Sequence, residues 1–75
     1  MITNTVYVFP NLIACMAASG DTIKTLAKYL GMGYQALSFR LRGEKSFELP
    51  EIIKIMERYE KSFDFIFLKT QPKAG

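Results

Sequence analysis

Seventy-five residues, 49% apolar and 23% charged with a net charge of +3, suffice for one domain with a folded core. Cys15 is the one cysteine and there is no histidine, which excludes an intrachain disulfide and leaves no ligand set for a usual zinc site. No apolar run nears the ~18 residues of a spanning helix, no signal-peptide pattern opens the chain, and the first lysine is Lys24. A reduced, cytoplasmic protein without membrane association, metal or cofactor is expected.

Residues 1–9, MITNTVYVF, are rich in β-branched and aromatic side chains and read as an extended segment up to Pro10. An edge strand, a cover for the core and a disordered leader are its alternatives. With no basic residue, it makes a poor minor-groove arm. The stretch PNLIACMAAS predicts a helix started by Pro10 and stopped by Gly20, with Leu12, Ile13, Met16 and Ala17 on one face. Thr22 is the N-cap of a second helix, IKTLAKYL, striped by Ile23, Leu26, Ala27 and Leu30. Gly31 ends it.

Gly33 then opens a third helix, YQALSFRLR, anchored inward by Leu37 and Leu41 and stopped by Gly43. Pro50 suits the first turn of a fourth, LPEIIKIMERYE, with Leu49, Ile52, Ile53, Met56 and Tyr59 as its expected buried stripe. The last apolar piece, SFDFIFL, fits two patterns. Phe63, Ile66 and Phe67 share a helical face, whereas Phe63, Phe65 and Phe67 alternate as in a strand. The polar tail 69–75 reads as flexible.

Charge is distributed unevenly. Lys24, Lys28, Arg40, Arg42 and Lys45 face only Glu44 between Thr22 and Lys45, while Glu48, Glu51, Glu57, Glu60 and Asp64 outweigh Lys54, Arg58 and Lys61 farther on. A merely solvated face would mix signs, so the positive potential belongs to the second and third helices. Two short helices across a tight glycine turn make a helix-turn-helix. Ala27 is small where the helices approach, and Gly31 fits a left-handed turn. Tyr34, Gln35, Ser38, Phe39 and Arg42 are left facing outward, a short polar and aromatic front flanked by bases, as expected of a helix docked in a major groove.

The motifs TIKTLAKYLGM, LSFRLRG and FELPEIIKI occur in this order and at these separations across residues 10–68. The chain thereby resembles the Xre/Cro-type helix-turn-helix family of phage and bacterial repressors. The resemblance implies an all-α, lambda-repressor-like bundle of about five helices that binds double-stranded DNA as a homodimer on a palindromic operator. It makes Tyr34, Gln35, Ser38 and Phe39 the base-facing set, and Thr22, Lys24, Arg42 and Lys45 the backbone contacts. Gly33 stands where a Ser or Thr commonly caps the recognition helix. Thr25 replaces the Glu or Gln that would close a capping box around Thr22.

Gln35 suits the N6 and N7 edge of adenine. Tyr34 either donates to a phosphate or lies against a thymine methyl, and Phe39 touches such a methyl, folds back against the fourth helix or sits in a dimer contact. A phosphate at the start of the second helix would offset the unfavourable placement of Lys24 beside the positive dipole end. Lys28 and Arg40 read as plain surface charges, and Cys15 as a buried inert thiol. Phe63, Phe65 and Phe67 are the dimer candidates, with closure of the core by a fifth helix as their alternative role. The rival to a DNA-binding regulator is a helix-turn-helix module for protein contact, such as an antitoxin or anti-repressor. No histidine base, Gly-rich phosphate loop or partnered nucleophile points to an enzyme, and no small-molecule ligand is evident.

Overall fold

A computed structural model describes residues 6–69 as five helices: α1 (Pro10–Ser19), α2 (Ile23–Leu30), α3 (Tyr34–Leu41), α4 (Leu49–Tyr59) and α5 (Phe63–Ile66). The expected all-α fold is borne out, and SFDFIFL resolves as helix, with no strand among the described residues. Of the tail assigned to 69–75 only Lys69, and of the leader only residues 6–9, fall within the described part. Those four carry no strand. The Val8 N–H donates to the Leu41 carbonyl at 3.0 Å, Tyr7 and Val8 lie on the core, and Phe9 is buried in it. They cover the core.

Helix boundaries follow from backbone chemistry. Pro10 starts α1 where a missing N–H costs nothing, and Gly20 and Gly31 end α1 and α2 in the left-handed conformation, at φ 76° and 77°. Thr22 caps α2, and Thr25, not a Glu or Gln, closes the box. The Thr22 N–H donates to Thr25 Oγ1 at 2.9 Å, and the Thr25 N–H donates back to Thr22 Oγ1 at 3.2 Å. The hydroxyl of a residue three positions on reaches as well as a longer side chain does. At α4 the Glu48 N–H donates to Glu51 Oε1 at 2.9 Å.

Leu12, Leu26, Leu37, Leu41, Ile55 and Ile66 are fully buried, so every helix sends at least one aliphatic side chain into a single core. Helix α2 packs on α3, α1 on α5, and α4 bridges α2 and α5. The stripe on α4 is rotated from its expected phase. Leu49 and Ile53 are 67% and 46% exposed, while Ile55 is wholly buried and Tyr59 nearly so, with Ile52 and Met56 half-buried. Apolar residues circle more than half of α4, and α2 and α5 select the side that docks. On α1, Ala17 is exposed and Ile13 and Cys15 are half-buried, so the thiol is less enclosed than expected.

Phe9, Phe47 and Phe67 form a tilted aromatic triad with ring centroids 5.3–5.8 Å apart. It fastens the leader, the α3–α4 loop and the end of α5 together, and such edge-on pairs add about 0.5–1.5 kcal/mol each beyond burial.

Candidate nucleic-acid interface

The turn between α2 and α3 is built as its sequence requires. Gly31 takes the left-handed position, Gly33 returns to extended backbone at φ −77° and ψ 161°, and α3 begins at Tyr34. Leu26, Leu30, Leu37 and Leu41 lock the pair, and Ala27 is buried at their approach. Tyr34, Gln35 and Phe39 stand exposed on α3, at the rim of a 280 Å³ depression that Ser38 and Arg42 complete.

Ser38 does not face outward as expected. It is 8% exposed, and its Oγ accepts a 2.7 Å hydrogen bond from Arg42 Nη1. A short hydroxyl one turn before a long guanidinium is overhung by it. Arg42 also donates through Nε to Glu44 Oε2 at 3.1 Å, and its Cζ lies 5.1 Å from the centre of the Phe39 ring.

Arg40 is no plain surface charge either. Its Nε donates to Glu51 Oε1 at 3.0 Å and its Nη1 to the Ala36 carbonyl at 3.0 Å, with both charged side chains mostly covered. It ties α3 to α4.

Lys24, Lys28 and Lys45 are exposed, and among the described residues none of the three makes an ion pair. Thr22 and Lys24 sit at the positive end of α2, and Lys45 follows α3 in the next loop. Lys24, Lys28 and Lys45 therefore meet solvent, while Glu51 of α4 is drawn into both a cap and a bridge.

Asp21 escaped the sequence reading. Its carboxylate is 5% exposed and receives Arg58 Nε and Nη2 at 2.8 and 2.7 Å, the Tyr59 hydroxyl at 2.7 Å and the Thr25 hydroxyl at 2.9 Å. The hydrogen bond from Arg58 holds the Asp21 carboxyl well below the usual carboxylate range, against the opposing effect of burial. Burial first, and then the bond to Asp21, push the Tyr59 phenol up. Arg58 also stacks on Tyr29 with its Cζ 4.5 Å from the ring centre. The partners lie 37 and 38 residues apart, and the one local signal was an acid beside a capping threonine. The network fixes the start of α2, where Thr22 and Lys24 sit.

The dimer candidates divide. Phe63 and Phe65 are about half exposed, as is Leu68, whereas Phe67 belongs to the aromatic triad. Among the described residues no cluster of His, Cys, Asp and Glu could hold a metal, and no helix is long and apolar enough to cross a membrane.

A family model described as helix-turn-helix matches residues 12–66, which takes in α2, α3, α4 and α5 whole and all of α1 but its first two residues. No curated protein and no solved structure matches the chain.

Proposed function

The chain belongs to the Xre/Cro-type helix-turn-helix family, and on that premise we propose that it is a sequence-specific transcriptional regulator, a repressor that binds a palindromic operator as a homodimer. One observation carries the reading. The exposed polar and aromatic front of α3 is flanked in the chain by Lys24, Lys28 and Lys45, which are exposed and make no ion pair among the described residues, so shape and positive charge coincide. In this role Gln35 takes an adenine edge, and Tyr34 and Phe39 lie beside it in the groove. Thr22, Lys24 and Lys45 hold the backbone, with the start of α2 directed at a phosphate. Phe63, Phe65 and Leu68 supply the dimer contact, which sets two copies of α3 about 34 Å apart on one face of the duplex. The role requires no catalytic step.

Sedimentation with and without duplex, and binding isotherms over a range of salt, test the proposal together. A dimer on DNA is expected, with affinity falling steeply with salt at a slope of about 0.9 per neutralised phosphate. Lys24→Ala should weaken all sequences about equally and flatten the slope by about one unit per subunit. A protein that stays monomeric in both conditions removes the dimer. One that binds no duplex at low salt removes the DNA role and leaves the protein-docking module in its place.

A further inference from the structure

The guanidinium of Arg42 folds back along α3 toward the front of the helix. Both of its contacts on the helix lie one turn earlier, Ser38 Oγ at 2.7 Å from Nη1 and the Phe39 ring centre at 5.1 Å from Cζ. These residues line the same depression as Tyr34 and Gln35. From this geometry we infer that Arg42 reads a guanine in the major groove, in place of the backbone contact that the family pattern implies, with Ser38 and Phe39 as its positioning residues. The inference rests on the DNA-binding role proposed above and assigns a base to that surface.

The chemistry supports a base edge over a phosphate. Guanine presents two acceptors in the major groove, O6 and N7, and the guanidinium fork matches them with two parallel N–H groups. An arginine carries five N–H donors. Here one is given to Glu44 and one to Ser38, which leaves three on the two terminal nitrogens for a ligand. The Phe39 ring centre lies 5.1 Å from Cζ and the ring holds the guanidinium near it, so less side-chain freedom is lost on docking. Glu44 argues in the same direction. A phosphate brought to this guanidinium would meet the charge of the carboxylate already bound to it, whereas a guanine edge is neutral. Ser38, being buried, acts only through Arg42.

Selection of bound duplexes from random DNA by the parent protein defines the preferred site for the test. On that site Arg42→Lys, which keeps the charge and loses the fork, should bind about 5- to 150-fold more weakly. The loss should map to one G·C pair per half-site, while affinity for scrambled DNA and the salt slope stay at parent values. Unchanged binding to scrambled DNA also shows that the variant is folded. Substituting 7-deazaguanine for that guanine removes the N7 acceptor, and should weaken the parent more than Arg42→Lys, whose single ammonium can still donate to O6. Ser38→Ala should give a smaller loss at the same base pair. The assignment is overturned if Arg42→Lys discriminates at every base pair as the parent does. It is equally overturned if the variant weakens on all duplexes alike with a shallower salt slope. A parent that selects no sequence at all removes the DNA-binding role and this assignment with it, whereas an operator that Arg42→Lys reads normally removes this assignment alone.

Discussion

Two arginines, sixteen positions apart, each meet a carboxylate and an aromatic ring, yet their surroundings assign them opposite roles. Arg58 grips Asp21 through two nitrogens, against an acid that is 5% exposed and also bound by Tyr59 and Thr25. Arg42 reaches Glu44 through one nitrogen, and that side chain is 56% exposed, its carboxylate accepting no other hydrogen bond among the described residues. The first pair is a closed network whose members satisfy one another, so removing one leaves buried charge or hydroxyl unpaired. The second is a solvent-screened contact worth little to folding, from which the guanidinium is easily shared with a ligand. Arg40, bound to Glu51 between α3 and α4, is intermediate. The comparison separates what builds the domain from what it offers to a partner.

The largest expected effect is at Asp21. Asp21→Ala strands the Tyr59 hydroxyl and the Arg58 charge, and should cost about 2–3 kcal/mol, less than a wholly buried pair because Arg58 is partly exposed. In a domain of this size that lowers the melting midpoint by about 10–20 °C, readable by circular dichroism. A shift under about 3 °C would place this network on a par with the surface pair.

The same network sets a pH dependence. The folded-state pKa of Asp21 lies below its unfolded value, so its contribution is full above about pH 4 and is lost as pH falls further. That of Tyr59 lies above its ordinary 10.0, so its contribution is full below that pH and is lost as pH rises beyond it. Urea midpoints from pH 2 to 11 should show both limbs, and Asp21→Asn should flatten the acid one. An acid limb unchanged in that variant would assign it to other carboxylates.

Arg40→Ala should come next, at about 1 kcal/mol, through loss of the tie between α3 and α4. A cost above that of Asp21→Ala in the same urea titration would reverse the ranking. Glu44→Gln should change stability by less than about 0.5 kcal/mol and raise affinity for any duplex about two- to fivefold, since it removes a negative charge beside the groove-facing arginine. Weaker DNA binding by Glu44→Gln would show that the carboxylate presents Arg42 instead of merely screening it.

How much of this was legible in the sequence differs by element. Pro10 and Pro50 mark the starts of α1 and α4, and Gly20, Gly31 and Gly43 the stops of α1, α2 and α3, whereas α4 stops at Glu60, a left-handed residue with no such mark. The leucines of α2 and α3 recur at one helical period, so most boundaries and the core followed from local rules. The phase of α4 did not. Its apolar residues cover several sides, and only the positions of α2 and α5 decide that Ile55 goes inward and Leu49 outward. Gln35 could be placed on the front of α3 by counting along the helix, but Ser38 could not, because its burial depends on where the Arg42 side chain rests. Asp21 was missed and Arg40 misjudged for one reason. Their partners are distant in sequence, and periodicity carries no information about pairs between helices.

The central claim, that the front of α3 reads DNA, is tested most directly by Gln35→Ala titrated alongside the parent onto the selected operator and a scrambled duplex. Gln35→Ala should lose about 1–3 kcal/mol on the operator, confined to one base pair per half-site, with binding to scrambled DNA unchanged. Parent-like affinity of Gln35→Ala for both duplexes would contradict it and turn this surface away from DNA.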